Sequence, residues 1–556
     1  MSVPDIEIAQ QAKVRPICDV AAAAGIPEEL FENCGHNMGK IGLELMKRLR
    51  DRPDGKLVWV SAITPTPAGE GKTVTTIGLV QAFGRAGIRV MGTLRQPSQG
   101  PVFGVKGGAT GGGYSQVYPM WDINLHFTGD IHAVGAAHNL LSAVLENHLY
   151  RGNALGIDPE RILWRKVIDM DARELRNITV GLGTKGGVPH QSGFDITAAS
   201  EVSAILALSE NIDELKQRLA RMVVAYTKDG RPVTAGQLKC VGAMGVLLKD
   251  ALKPNLVQTL EGQPFLVHGF PFGNIAHGNN SVIALKMALK LADVVVTEAG
   301  FAADLGLEKA FDIVCRVSGL RPDCVVLVAS VRALKSHGGV PKDKLDRPAL
   351  EALARGYTNL DRHIENVRRF GVPLVVAVNR FPPDTAEELE SVLAHCRELG
   401  VNAAVSRVFS EGGKGGEELA RAVQHALRSE PGRFRFLYDE RLPVKEKIRI
   451  IATELYGAAG VAYVGTADKD IETIEASGLN KLPICMAKTQ LSITDDPEIK
   501  GAPKGWTLTV REVRLSAGAG FIVPLTGEIM TVPGLPSSPA AERMDIDADG
   551  RITGLS

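Results

Sequence analysis

LVWVSAITPTPAGEGKTVTTIGLVQAFGRAG, residues 57–87, decides the fold. A run rich in Val, Leu, Ile and Trp gives way at Thr64 to prolines and glycines, then to a helix-like segment from Lys72. Strand, glycine turn and helix in that order make a phosphate-holding loop, because a helix N-terminus offers unpaired N–H groups and the positive end of its dipole. The pattern GxxxxGK[ST] is met at Gly71, Lys72 and Thr73, while Thr66 stands where its first glycine would be. Pro65 and Pro67 can tighten the turn instead. The expected nucleotide-binding residues are Thr66, Pro67, Ala68, Gly69, Glu70, Gly71, Lys72 and Thr73. Lys72 would bridge the outer phosphates and the Thr73 hydroxyl would reach magnesium. The bland alternative is a βα turn with a surface lysine.

Outward from this loop, further apolar runs alternate with helical patterns: Arg89 to Leu94, Asp293 to Thr297, Cys324 to Val331 and Pro373 to Val378. Continuous Val/Ile/Leu runs indicate strands buried on both faces. The fold expected is α/β, a P-loop-type parallel sheet core with additional α/β domains. Residues 1–150 and 241–360 would form the core, 151–240 an inserted subdomain, and 361–556 a C-terminal region. Ligands bind beyond the carboxyl ends of such strands. The positions to read are therefore Thr64 onward, Arg95, Glu298, Arg332, Lys335, Asn379 and Arg380.

LRQPSQGPVFGVKGGATGGGY, residues 94–114, sets seven glycines around Arg95 and Lys106. Flexible linkers rarely interleave Val, Phe and Tyr among their glycines. A backbone cradle for an anion is the better reading, since converging N–H groups need glycine conformations. Arg95 would emerge beside the phosphate loop and stabilise charge moving between a phosphoryl group and its acceptor.

At 556 residues the chain exceeds one hydrophobic core. Its 63 basic and 63 acidic side chains balance, which gives no reason to expect a nucleic-acid or membrane partner. Seven scattered cysteines with no CxxC pair point to reduced thiols. No secretory signal and no membrane-length apolar run are visible, so a cytoplasmic enzyme on small-molecule substrates is expected. His126, His132 and His138, with Asp122 and Asp130, lack a helical or HExxH metal-ligand spacing, and structural or substrate-orienting hydrogen bonds are favoured over a bound transition metal. VNRFPPDT (Asn379, Arg380, Asp384) is one residue too long for a GTPase base-recognition motif.

GVKGGATGGGY (Gly104 to Tyr114) and VASVRALKSHGG (Val328 to Gly339) resemble the two signature stretches of the formate–tetrahydrofolate ligase family. TPTPAGEGKT, DINLHFTGDIHAV, SGFDITAASEV, LLKDALKPNLVQTLEG, NIAHG, VVTEAGF, VNRFPPDT and PGLPSSPAAER follow in the family's order. The resemblance implies an ATP-dependent carbon–nitrogen ligase, usually a homotetramer. Formate would attack the γ-phosphate of magnesium-ATP to give formyl phosphate, and tetrahydrofolate would take the formyl group, giving 10-formyltetrahydrofolate, ADP and phosphate. It implies a stimulating monovalent cation, potassium or ammonium. Lys72 and Arg95 carry over as catalytic residues, and Lys106 and Tyr114 fall in the glycine signature near the same centre. Phe381 and Pro382 match part of the folate pocket, with Phe409 in place of its usual tryptophan. Pro533 to Ala541 resemble a segment near the nucleotide base.

Several motif positions depart from the family pattern. Gln96 replaces a glutamate, Gln99 a leucine and Thr110 an alanine. Phe270 and Ala302 stand where glycines are usual, and Asn279 where a cysteine is. These changes gather in motifs on the carboxylate and folate sides. They keep open a divergent ligase with another carboxylate or acceptor, and a nucleotide-binding protein that has lost turnover.

Overall fold

The computed structural model describes residues 3–66, 69–104, 108–429, 432–527 and 531–555. Pro67, Ala68 and Lys106 among the expected site residues lie outside them.

The central sheet is largely parallel. Its parallel strands are β1 Lys56–Ala62, β2 Val90–Leu94, β3 Pro264–Val267, β4 Val294–Glu298, β5 Cys324–Ala329, β6 Leu374–Asn379 and β7 Asn402–Ser406. Across the sheet they run β3-β2-β4-β1-β5-β6-β7. Antiparallel strands, among them Asn255–Thr259 and Gly39–Ile41, extend the β3 edge. The mixed α/β architecture expected from the alternating runs is present. β6 and β7 place the chain on both sides of residue 360 in this one sheet.

Both faces of the sheet are covered, which is why its strands read as unbroken apolar runs. In β1, Val58, Val60 and Ala62 pack into one core cluster with Ile77, Val80 and Phe83 of helix α1 (Lys72–Arg85). Leu57 and Trp59 point the other way, into the larger cluster with Phe311, Ile364 and Phe370. Alternation is present in three dimensions but invisible in the sequence, because both faces are apolar. Helix α1 is itself enclosed: a Cβ on Gly78 would lie 2.2 Å from Val408.

Residues 151–240 carry small sheets of their own, such as Ile157–Ile162 with Val223–Thr227 and Pro232–Thr234. Near the C-terminus Gly460–Tyr463 pairs with Thr507–Val510, and Glu512–Ser516 with Phe521–Leu525. None of the described helices is long and apolar enough to cross a membrane.

Candidate active site at the carboxyl edge of the sheet

β1 ends at Ala62, and the loop that follows is tied down before it turns. The Thr64 backbone N–H donates to Asn359 Oδ1 at 3.2 Å, and Asn359 Nδ2 donates to Thr64 Oγ1 at 3.0 Å. His337 Nε2 donates to the Thr64 carbonyl at 2.9 Å. Burial pushes the imidazole of His337 down to about 4, so it stays neutral here.

Glu70 then closes the loop on itself. Its Oε1 accepts from the Thr66 N–H at 2.9 Å and the Thr66 hydroxyl at 2.8 Å, while Ser330 at the end of β5 donates to Oε2. Burial raises the Glu70 pKa, and these hydrogen bonds work against that rise. Thr66 thus does the tightening that a glycine does in the usual pattern, through its side chain rather than its backbone freedom.

Gly71 is a position where glycine is required on two counts. Its φ is 76°, and a Cβ would sit 2.1 Å from Asn379 Nδ2. Asn379, at the end of β6, uses that amide to donate to the Glu70 carbonyl at 3.0 Å. Helix α1 begins on the next residue, so Lys72 and the half-buried Thr73 occupy its first turn.

Lys72 Nζ donates to the Phe301 carbonyl at 2.9 Å and lies 3.6 Å from Glu298 Oε1. Burial lowers the Lys72 pKa; Glu298 opposes that shift and Arg95 adds to it. Arg95, directly after β2, donates through Nη1 to the Pro271 carbonyl at 2.9 Å. Its pKa too is lowered by burial and raised by Glu298. β4 lies between β1 and β2, so its last residue, Glu298, is set between these two cations. One carboxylate facing two cations leaves a local excess of positive charge, suited to an anion.

The other predicted positions fall into two groups around this edge. Arg332, after β5, donates to the Gly69 carbonyl at 3.0 Å and stacks 3.6 Å above the Phe381 ring. It therefore joins the expected phosphate loop to the expected folate wall, with Pro382 exposed next to it. Tyr114 and Phe409 form a second pair: the Tyr114 N–H donates to the Phe409 carbonyl at 2.9 Å, and both side chains are about half exposed. They pack beside α1 near Gly78 and Gln81, roughly 9 Å along the helix from Lys72. The end of the glycine stretch fits under Phe409 because Gly113 has φ 55° and a Cβ there would meet the Phe409 carbonyl at 2.0 Å. The C-terminal segment reaches the same stretch, with the Ala540 N–H donating to the Gly104 carbonyl at 2.9 Å.

The departures separate by environment. Phe270 is buried in the main apolar cluster, so its ring fills core rather than the edge. Thr110 accepts from Asn124 Nδ2 at 3.3 Å. Asn279 donates to the His277 carbonyl at 2.6 Å and accepts from the Gly300 N–H at 3.4 Å, joining two loops behind Arg95. Ala302 is buried where the chain leaves Phe301. Gln96 is also buried, yet neither polar atom of its amide has a hydrogen-bond partner among the described residues. Nothing in the structure explains Gln99.

Among the histidines weighed for metal binding, His126 and His132 are exposed while His138 is buried. His138 stacks on Trp164 and bonds Ser200 and the Arg165 carbonyl, and burial takes it down to about 4. No group of three or more His, Cys, Asp or Glu among the described residues is placed to hold a metal ion. Lys335, read as a candidate from its position after β5, is a core residue paired with Glu388 at 3.0 Å. Glu298 and Arg332 were legible only as ends of strands; their partners were not. Two surface clefts of about 510 and 560 Å³ take in Gln10, Trp121 and Arg551, and Glu44, Glu210 and Lys286 respectively. Neither includes Lys72 or Arg95, and it is the convergence of charge that singles out the strand edge.

Cations gathered against a glycine turn at the carboxyl edge of a parallel sheet define the class, an α/β enzyme built to handle anionic groups such as phosphates. The family model of formate–tetrahydrofolate ligase matches residues 3–556, and the chain belongs to that family. It is an ATP-dependent ligase, and its substrates at family level are formate and tetrahydrofolate.

Proposed function

We propose that the ligation proceeds through formyl phosphate, made and consumed at the edge where Lys72, Arg95 and Glu298 meet. A carboxylate is a poor electrophile, and phosphorylation gives it a leaving group. A formate oxygen attacks the γ-phosphorus of ATP and the bond to the β-phosphate oxygen breaks, releasing ADP. The N10 nitrogen of tetrahydrofolate then attacks the formyl carbon, and phosphate departs carrying that formate oxygen.

The observation that carries this reading is the placement of Lys72 and Arg95 on either side of one strand end, where two anions must approach each other. The turn from Thr66 to Thr73 would hold the phosphates of ATP. Magnesium, when bound to those phosphates, would supply charge neutralisation, and the Thr73 hydroxyl would help to hold it. Phe381, Pro382 and Phe409 would offer apolar surface to the pterin, and Lys106 and Tyr114 would line the acyl side. A monovalent cation, a homotetramer and a cytoplasmic location complete the proposal by family analogy.

The test uses formate labelled with oxygen-18, with ATP, magnesium, potassium and tetrahydrofolate. One labelled oxygen should pass to inorganic phosphate for each ADP released. Unlabelled phosphate would refute the acyl phosphate. The unpartnered Gln96 amide supports a second reading, a divergent ligase selecting another small carboxylate. ADP release with such an acid but not with formate would establish it. Nucleotide binding without any carboxylate-dependent release would mark a protein that has lost turnover.

A further inference from the structure

Glu298 stands on three observations that the proposed chemistry does not use up. It is the last residue of β4, adjacent to β1, opposite Val60 in register. Its Oε1 is the carboxylate oxygen nearest Lys72, at 3.6 Å. Its Oε2 is buried and has no hydrogen-bond partner among the described residues. A carboxylate oxygen shut away from water without a donor is costly to keep, so a structure that keeps one there calls for a partner.

Lys72 donates to the Phe301 carbonyl and lies 3.6 Å from Glu298 Oε1. Anionic phosphates entering at the start of α1 would compete for its ammonium. As Lys72 turns to them, Glu298 is left with two free oxygens facing incoming polyanionic charge. Arg95, the other cation beside Glu298, is hydrogen-bonded to the Pro271 carbonyl, so a further cation between the carboxylate and the phosphates would relieve their repulsion. Magnesium takes one or two protein oxygens and fills its other positions with phosphate and water. A carboxylate on the strand beside the phosphate loop, with a hydroxyl in the first turn of the helix, meets that requirement.

We propose that Glu298 exchanges its ligand during turnover: it holds Lys72 in the free enzyme and, when nucleotide draws Lys72 away, takes the divalent cation in its place. The inference rests on the reading of Thr66 to Thr73 as a nucleotide loop. It assigns Glu298 two successive partners and makes the metal and the lysine competitors for one carboxylate.

The competition predicts a weakened metal site beside a nucleotide site that is not weakened. The probe is manganese, followed by electron paramagnetic resonance, with a non-hydrolysable ATP analogue and the full-length protein. In Glu298→Gln, manganese affinity in the analogue complex should fall at least tenfold. Affinity for the metal-free analogue, measured calorimetrically in chelator, should stay equal or rise because Lys72 is released. Glu298→Asp, which keeps the charge, should hold manganese more tightly than Glu298→Gln. Glu298→Ala is read in the same way should the amide variant fail to fold. Manganese affinity within twofold of the parent in either neutral variant overturns the assignment of Glu298 alone. Failure of the parent to bind the analogue at all overturns both this inference and the nucleotide loop beneath it.

Discussion

Two lysine–glutamate pairs stand near the carboxyl edge of the same sheet, and they differ in almost every respect. Lys335 and Glu388 lie 3.0 Å apart with side chains 1% and 0% exposed. Lys335 also donates to the Arg347 carbonyl, and Glu388 accepts from the Ala349 and Thr385 N–H groups and the Thr385 hydroxyl. Lys72 and Glu298 lie 3.6 Å apart, are 15% and 18% exposed, and leave Glu298 Oε2 without a partner among the described residues. The first pair is fully satisfied and serves structure, since Glu388 is also the N3 residue of a capping box that starts the Ala386–Glu398 helix. The second is incompletely satisfied and open to exchange. Satisfaction of hydrogen-bonding capacity, rather than charge or position after a strand, separates the scaffold pair from the working one.

The contrast is broken most directly by removing each lysine. Lys72→Met should lower carboxylate-dependent ADP release by roughly 10³-fold or more, with the melting temperature shifted by only a few degrees. A loss of stability without that kinetic defect would place Lys72 with the scaffold. Lys335→Met strands a buried carboxylate and should cost about 3–5 kcal/mol in denaturant unfolding. An unchanged unfolding midpoint would remove the distinction drawn between the pairs.

Another glutamate, Glu201, sharpens the comparison because its partners are backbone groups. Glu201 Oε1 accepts from the Gly518 and Ala519 N–H groups at 2.8 and 3.0 Å, and burial lifts its pKa to about 7. The folded state therefore holds a proton that the unfolded chain has already lost above about pH 4.5. Stability from this group is present at low pH and is lost as pH rises toward 7. Glu201→Gln keeps the acceptor and removes the titration. Its advantage over the parent should be small at pH 5 and grow to on the order of 3 kcal/mol at pH 8. A pH-independent difference would show that the carboxylate does not titrate in the folded protein.

The smallest effect is expected at the rim. Phe409 is 43% exposed, so Phe409→Ala should leave stability within about 1 kcal/mol while raising the KM for tetrahydrofolate about tenfold through lost stacking area. An unchanged KM with a fall in melting temperature would make Phe409 a packing residue for the glycine stretch it covers.

Much of this was legible in the chain. Runs such as LVWVSAI and CVVLVAS gave the strands because both faces are buried, and Gly71-Lys72-Thr73 gave the loop because a helix start after a strand has few alternatives. Other features were hidden. Lys335 and Lys72 look alike in sequence, each following an apolar run by a few residues. Phe270 looked like an intrusion into a ligand site until its ring was found in the core. The glycine stretch looked like an open cradle, yet Gly113 is demanded by the Phe409 carbonyl.

The sequence by itself determined the α/β class, the family and the identity of the loop, because these depend on local order: apolar period, turn chemistry and motif spacing along one segment. Tertiary structure alone decided which charges are spent and which are available. That depends on strand order, which sets β4 between β1 and β2 and brings Glu298 to Lys72 from 226 residues away. A side chain's partners are fixed by what the sheet brings beside it, and no local pattern encodes that neighbour.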